Sequence, residues 1–150
     1  MRIQFCLGWW RGNVTRRAFK SEASFTLFAE YCERVSRFDP CAASGFESSS
    51  EKKVSTKRWL CEPSKTAKLF SSVELAGFFQ KLRDTGTKEL QIIIGPADGF
   101  SAKEAGELKP DLLWSFGPLT FPHELASVIA AEQLYRAYTI IQRLPYHSGH

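Results

Sequence analysis

One segment constrains the fold more than any other: residues 90–94, Leu-Gln-Ile-Ile-Ile, followed at once by Gly-Pro-Ala-Asp-Gly. A short, almost continuous apolar run rich in β-branched residues is typical of a strand buried on both faces of a parallel sheet. The glycines and the proline that follow predict a sharp end to the strand at Gly95. The segment therefore predicts a central strand in a sheet that is covered on both sides.

Other strands and helices alternate along the chain around this strand. Apolar runs predict strands at residues 2–7, 58–61 and 112–116, and helical spacing of apolar residues predicts helices near 25–35, 73–82, 102–108 and 122–140. Ser24, either Ser71 or Ser72, and Thr120 are the predicted caps of the three longer helices. The predicted buried stripe of the last helix consists of Leu125, Val128, Ile129, Gln133 and Ile140.

This alternation predicts an α/β fold, with a mostly parallel sheet flanked by helices. The length of 150 residues suits a single domain over residues 1–150. Residues 44–57 are rich in serine and lysine, which predicts a polar loop inside that domain.

Composition narrows the class of protein further. The net charge of +4 permits an anionic partner without requiring one. The four cysteines form no CxxC pair, so we expect reduced thiols and no metal site. No run approaches the roughly 20 apolar residues that a membrane span needs, and we expect a cytoplasmic protein with no membrane partner.

Two glycine-bearing loops predict a binding site. One spans residues 95–99 and the other residues 117–121, and each follows a predicted strand. Open α/β sheets bind ligands beyond the carboxyl ends of their strands. The residues alone therefore predict a small-molecule site between these loops, although two plain turns would show the same pattern.

Four short motifs occur in a fixed order in the last third of the chain. They are the loop at residues 95–99, Thr-Phe-Pro-His-Glu-Leu at 120–125, Glu-Gln-Leu-Tyr-Arg-Ala at 132–137 and Pro-Tyr-His at 145–147. In order, spacing and position they resemble the RlmH (YbeA) family of the SPOUT superfamily, which methylates a pseudouridine of helix 69 in 23S ribosomal RNA. Each motif is short, but an accidental match would need all four in register.

The resemblance implies a fold, an assembly and a cofactor. Members of this family form a homodimer, fold the carboxyl-terminal part of the chain into a trefoil knot, and bind S-adenosyl-L-methionine (SAM) against the knot loops. The matching cofactor-binding positions here are Leu60, Gly95, Pro96, Gly99, Gly117, Pro118, Leu119, Thr120, Phe121 and Pro122. Leu60 is the expected apolar contact of the adenine.

The resemblance also implies catalytic residues. Methylation of N3 of a pseudouridine requires that the ring proton leave. Arg136, Tyr146 and His147 match family positions near the target nucleotide. Arg136 is expected to hold a phosphate or carbonyl oxygen, Tyr146 to stack on a base, and His147 to take the proton or bind phosphate. In the family this tail reaches the partner's pocket, so we expect a homodimer that acts on 23S rRNA in the large subunit or the assembled ribosome.

Departures from the family pattern leave other functions open. Pro96 stands where a second glycine is usual, and Ser127 and Ser148 stand where basic residues are common, which removes positive charge near the expected RNA site. One alternative is a SPOUT protein that binds RNA or ribosomes without catalysis. Another is a nucleotide-binding α/β protein unrelated to RNA.

Some residues keep two interpretations. Trp9 and Trp10, with the arginines that follow them, either form a stacking and phosphate-binding patch for RNA or belong to a solvated basic loop with its tryptophans packed on the domain. His123 is expected to form hydrogen bonds at a helix start rather than to act in catalysis. We expect Glu132 and Gln133 to serve packing or dimer contacts.

Overall fold

The computed structural model describes residues 1–46, 51–62 and 67–148. Within them, six strands form one sheet in which all neighbouring pairs are parallel. The strands are β1 (Arg2–Leu7), β2 (Cys41–Gly45), β3 (Thr56–Cys61), β4 (Lys68–Leu69), β5 (Glu89–Ile94) and β6 (Leu112–Ser115), in the order β2-β1-β5-β3-β6-β4. The apolar run at residues 90–94 is thus an inner strand between β1 and β3, as predicted.

Alternate side chains of β5 enter two different cores. Leu90, Ile92 and Ile94 join the larger core, while Ile93 joins a smaller one with Cys6 and Leu60. Because both faces of the strand are buried, nearly every position must be apolar.

Four helices cover the sheet: α1 (Glu22–Ser36), α2 (Ser72–Asp84), α3 (Ala102–Glu107) and α4 (His123–Ile141). Helix α4 packs against both α1 and α2, and all three contribute to the larger core. The short α3 and the residue after it, Leu108, cover the smaller core on the opposite face. Single 3-10 turns span Arg16–Ala18 and Pro145–His147. This architecture confirms the predicted α/β fold.

Two predicted helix caps were wrong. The cap of α1 is Ser21, whose hydroxyl accepts a hydrogen bond from the backbone N–H of Ser24 at 3.1 Å. Ser24 is therefore inside the first turn, where its own N–H is one of the groups that need a cap. Helix α4 begins after Pro122 rather than Thr120 and has no side-chain cap, because the fixed φ of proline sets the entry of the chain. For α2, the cap is Ser71, one of the two predicted residues.

The predicted buried stripe of α4 was also mostly wrong. Val128 is buried, but Leu125 is 40% exposed and the other three residues are half-buried. The fully buried side chains are instead mainly small ones, namely Ser127, Ala130, Ala131 and Ala137, together with Leu134, Tyr138 and Thr139. Because α4 lies against α1, α2 and β5, small side chains on α4 allow these elements to approach closely. The predicted stripe was based on large apolar residues and therefore missed them.

The polar loop predicted at residues 44–57 is shorter than expected. Strand β2 continues to Gly45 and β3 begins at Thr56, and residues 47–50 lie outside the described part of the chain. Strand β2 has the sequence Cys-Ala-Ala-Ser-Gly and lies at a sheet edge, where small, half-exposed residues suffice. It therefore lacks the apolar run from which β1, β3, β5 and β6 were predicted, and the two-residue edge strand β4 was not predicted either.

Across the described ranges, no helix has the combination of length and apolar character that crossing a membrane would require.

Candidate active site

The carboxyl ends of three neighbouring strands open into one cavity of about 280 Å³. Strand β3 lies between β5 and β6 and ends at Cys61, which lines the cavity together with Glu62. The loops that follow β5 and β6 form the two side walls, and the first turn of α4 closes one end. The cavity thus lies between the two glycine-bearing loops, where the sequence predicted a small-molecule site.

Glycine allows each loop to turn sharply at the cavity. Gly99 has φ +74° and Gly117 has φ +108°, both in the region that side-chain-bearing residues rarely adopt. The N–H of Gly99 donates to the carbonyl of Pro96 at 2.8 Å, which closes the first loop. In the second, the Ser115 hydroxyl accepts from the N–H of Gly117 at 3.1 Å. Each loop is therefore held in shape by a hydrogen bond between nearby residues of the chain.

Most of the predicted cofactor-binding residues meet at this cavity. Those that line it are Gly95, Pro96, Gly99, Gly117, Leu119, Thr120 and Phe121. Leu60 is almost fully buried and borders a smaller adjoining cavity of about 220 Å³, which shares Cys61, Glu62, Gly95 and Gly99 with the first. Pro118 and Pro122 are not among the lining residues and serve as the turn and the helix start on either side of them.

Several cavity residues were missed by sequence reasoning. Besides Cys61 and Glu62, they include Ile94, Trp114, Phe116 and Ala126. Most of them lie at or directly after the end of a strand, so the rule that ligands bind at carboxyl ends of parallel strands would have found them. The pKa of the Cys61 thiol is raised by burial, which keeps this side chain neutral. Among the described residues, no three His, Cys, Asp or Glu side chains cluster as metal ligands would.

His123 also belongs to the cavity wall. As predicted, it stands at the start of α4, and its Nε2 lies 3.8 Å from the Glu124 carboxylate. Its ring packs on the indole of Trp9 with centroids 4.3 Å apart. The indole N–H of Trp9 donates to the Ala18 carbonyl at 2.7 Å. Trp9 is therefore packed against the domain on one side, and its side chain is half-buried.

The three predicted catalytic residues form a second cluster around Glu132. The Arg136 guanidinium donates to one Glu132 oxygen at 2.6 and 3.0 Å, and its Nη1 lies 3.0 Å from Nδ1 of His147. Arginine has no acceptor, so Nδ1 must accept this hydrogen bond and the neutral imidazole carries its proton on Nε2. Glu132 therefore organises the cluster, whereas sequence reasoning expected this residue to serve only packing or dimer contacts.

Tyr146 is held by two partners. Its hydroxyl donates to Glu132 at 3.0 Å and lies 3.3 Å from the hydroxyl of Tyr31 on α1. Burial, the Tyr31 hydrogen bond and the Glu132 charge raise the pKa of Tyr146 well above its usual value. The Arg136 guanidinium lies 4.9 Å from the ring centre, within cation–π range. The tyrosine is thus a neutral, oriented ring.

Within one chain the two sets of residues lie far apart. His123 borders the cavity and Arg136 lies 13 positions later on the same helix, which corresponds to roughly 20 Å at about 1.5 Å per residue. Arg136, Tyr146 and His147 do not line the cavity. A single chain therefore presents a pocket at one end of α4 and the polar cluster towards the other.

The position of Ser127 does not agree with the expectation that this residue removes positive charge from an RNA-binding surface. Its side chain is fully buried in α4, and the hydroxyl donates to the Glu124 carbonyl at 2.6 Å. At this position the chain has no surface that an RNA could touch directly, whereas Ser148 is exposed.

A parallel sheet with a cavity at the carboxyl ends of its strands defines the chain as an α/β ligand-binding protein. Residues 17–147 match the family model described as "Predicted SPOUT methyltransferase", so the chain belongs to the SPOUT methyltransferase family. This confirms the family resemblance deduced from the four motifs.

The names of individual relatives are more specific than the description of the family. The chain is 40% identical over 141 residues to the ribosomal RNA large subunit methyltransferase H of Koribacter versatilis, a match that covers 87% of this chain and 92% of the relative. Proteins of the same name from Methylocella silvestris and Maricaulis maris are 48% and 45% identical over 79 and 80 residues. Each of these two shorter matches covers 53% of this chain and about half of the relative, 48% and 50% respectively.

Proposed function

We propose that this chain is a SAM-dependent methyltransferase that methylates N3 of a pseudouridine in helix 69 of 23S rRNA, in the large subunit or assembled ribosome. The observation that carries the proposal is the pair of sites on α4, a small-molecule cavity at its amino end and the Arg136 cluster near its carboxyl end. Membership of the SPOUT methyltransferase family supports it, as does the likeness to a large-subunit rRNA methyltransferase over 87% of this chain and 92% of the relative.

The cavity suits SAM in size and chemistry. Its volume of about 280 Å³, with a further 220 Å³ adjoining, is that of a small-ligand pocket. Trp114, Phe116 and Phe121 offer apolar walls to the adenine, and loop backbone groups can meet its polar edge. The carboxylates of Glu62 and Asp98 match the positive sulfonium and ammonium groups. SAM, when bound, supplies the methyl group as an electrophile for in-line transfer.

The Arg136 cluster suits the acceptor. Arg136 can hold a phosphate or a carbonyl oxygen that gains negative charge when N3 loses its proton. With Nδ1 engaged by Arg136, His147 presents an N–H at Nε2. In this arrangement it donates rather than accepts, which favours binding of phosphate or carbonyl oxygen over removal of the proton. The oriented ring of Tyr146 offers a face or edge to a base.

A homodimer would unite the two sites. Since the cavity and the cluster lie roughly 20 Å apart along α4, a second copy must deliver its cluster to the cavity if both act on one nucleotide. Leu119 and Leu125 lie at the cavity end of α4 and are 69% and 40% exposed. They form an apolar surface that a second copy can bury. The proposal includes the carboxyl-terminal trefoil knot that the family resemblance implies and, since ribosomes are the substrate, a cytoplasmic location.

The test uses the full chain with SAM and large ribosomal subunits from a host that lacks its own enzyme of this type. We expect calorimetric heat on SAM binding, and mass spectrometry of the 23S rRNA should show one added methyl group on a pseudouridine. Arg136→Ala should keep SAM binding and lose most methylation. No heat at millimolar SAM would overturn the enzyme proposal, and persistent RNA binding in that case would favour a SPOUT protein without catalysis.

A further inference from the structure

One short segment has a net positive charge equal to that of the whole chain. Residues 8–20, here called the basic arm, contain Arg11, Arg16, Arg17 and Lys20 and no carboxylate. The whole chain has a net charge of +4, so the rest of the sequence is balanced. Such segregation of charge is typical of a surface that meets a polyanion rather than of charge that only confers solubility.

The cations of the basic arm are available to a partner. All four side chains belong to exposed residues. Within the described parts of the chain, none of them lies within ion-pair distance of a carboxylate. Arg16 donates to the Phe19 carbonyl at 2.6 Å, which orients its guanidinium without neutralising it.

The basic arm begins and ends at the wall of the cavity. At one end the N–H of Gly8 donates to the carbonyl of Ile94, a cavity residue, at 2.8 Å. At the other end the Glu124 carboxylate, next to His123 of the cavity wall, accepts from the backbone N–H groups of Lys20 and Ser21 at 3.1 and 2.9 Å.

The middle of the basic arm is also fixed. The Gly45 N–H donates to the Gly12 carbonyl at 2.7 Å, and Val14 donates to the Ala43 carbonyl at 3.3 Å, so the arm is tied to edge strand β2. Trp9, in contact with His123, joins the arm to the pocket wall. Bonds at both ends and in the middle hold the backbone of the arm in place beside the pocket, which reduces the backbone entropy lost when a phosphate chain binds.

We propose that the basic arm is a docking surface for the phosphate backbone of the RNA substrate, beside the pocket in which its base is methylated. This inference rests on the proposed function for the identity of the polyanion. The arm contributes affinity and orientation but no sequence specificity, as phosphate contacts do in general. Such a contact gives the chain an RNA-binding element without an additional domain.

The experiment compares two triple variants that lose the same charge. Arg11→Gln, Arg17→Gln and Lys20→Gln change the basic arm but leave Arg16, which bonds to the backbone. The control carries Lys53→Gln, Lys81→Gln and Lys88→Gln, three exposed lysines outside the arm, of which Lys88 directly precedes β5 at the opposite end of the sheet. The probe is a fluorescent RNA hairpin of helix 69, titrated between 50 and 200 mM salt, and SAM binding and thermal unfolding of each protein are measured in parallel.

We expect the arm variant to bind the hairpin roughly tenfold or more weakly at 0.1 M salt, with SAM binding and melting unchanged. If each of the three lost cations contacts one phosphate, the salt slope should fall by about two to three, which makes the affinity loss over this fourfold salt range roughly 20- to 40-fold smaller than for the wild type. The inference would be overturned if both variants weakened hairpin binding only slightly or to the same extent, or if the salt slope of the arm variant equalled that of the wild type. Binding to vesicles containing phosphatidylserine that depends on the arm, with no effect on the hairpin, would overturn it too.

Failure of the docking surface and failure of the proposed function remain distinguishable. A wild-type chain that binds SAM and methylates rRNA, together with an arm variant of unchanged KM, would refute only the docking surface. A chain without methyl transfer whose RNA affinity depends on the arm would refute only the enzyme.

Discussion

Tyr31 and Tyr146 are 115 residues apart in the sequence, yet their hydroxyl oxygens lie 3.3 Å apart. Tyr31 is on α1, whereas Tyr146 belongs to the 3-10 turn that follows α4. This contact fastens the carboxyl-terminal tail to the body of its own chain. It therefore helps to order the acceptor cluster around Glu132.

Replacing Tyr31 with phenylalanine tests whether this order matters. Tyr31→Phe removes one hydrogen bond of about 1 kcal/mol, so methylation by the proposed enzyme should fall roughly fivefold. We expect the loss in kcat, measured with large subunits, and none in SAM affinity. The matched control is Tyr135→Phe, whose ring packs on Tyr146 at 4.8 Å without a hydroxyl bond to it. Equal losses in both variants would show that the Tyr31 hydroxyl has no specific role.

Glu132→Gln tests the centre of the cluster. The carboxylate accepts from Arg136 and Tyr146, and hydrogen bonds to a charged group contribute about 1.5–3 kcal/mol. Methyl transfer should fall tenfold to roughly a hundredfold, with SAM binding intact. Glu30→Gln is the control, because Glu30 and Arg34 form an i,i+4 pair of the same 2.6 Å length on an exposed surface. If Glu132→Gln left the rate of methyl transfer unchanged, whether or not Glu30→Gln lowered it, Glu132 would not have the positioning role.

The central strand and the pocket edge were predictable because burial on both faces leaves a clear apolar run. Residues 90–94 showed this run, and Gly95 marked the end of the strand. The pocket followed from the rule for parallel sheets. Strand β2 was not predictable in the same way, since an edge strand needs no large apolar residues.

The roles of Tyr31 and Glu132 were not predictable from local patterns. Each is an ordinary helical residue in sequence, and Tyr146, the tail residue that both contact, lies on another element. Only the packing of α1 on α4 brings Tyr31 to the tail. The small buried residues of α4, such as Ala130 and Ala131, likewise depend on neighbours that hydropathy along one helix does not reveal.

A glycine substitution in the second loop separates cavity shape from general stability. Gly117→Ala places a side chain at φ +108°, which costs about 1–2 kcal/mol in such a conformation and distorts the wall of the cavity. SAM affinity measured by calorimetry should fall, together with the melting temperature. The control Gly77→Ala lies in α2 with open space around it and should stabilise the chain by about 0.5–1 kcal/mol. Undiminished SAM affinity in Gly117→Ala would argue against this cavity as the cofactor site.

The raised pKa of the buried Cys6 thiol predicts that the fold loses stability at alkaline pH. Burial, followed by the Glu89 charge, raises the pKa of its thiol from 9.0 to about 12. In the folded chain the thiol keeps its proton above pH 9, whereas the unfolded chain releases it. The stabilisation is therefore complete below about pH 9 and is lost as the pH rises towards 12, at about 1.4 kcal/mol per pH unit for one such group.

Urea unfolding at pH 8, 9 and 10 should show this decline in the free energy of unfolding, with a smaller decline in Cys6→Ala. The raised pKa values of the Cys61 thiol, caused by burial, and of the Cys32 thiol, caused by its hydrogen bond to Cys41 and by burial, add to the loss above pH 9 in both proteins alike. Tyr138, whose pKa is raised by burial and by its hydrogen bond to Asp39, adds to it only above its unfolded value of 10.0, again in both proteins. If the wild type and Cys6→Ala lost stability in parallel between pH 9 and 10, the Cys6 thiol would not be the group that titrates.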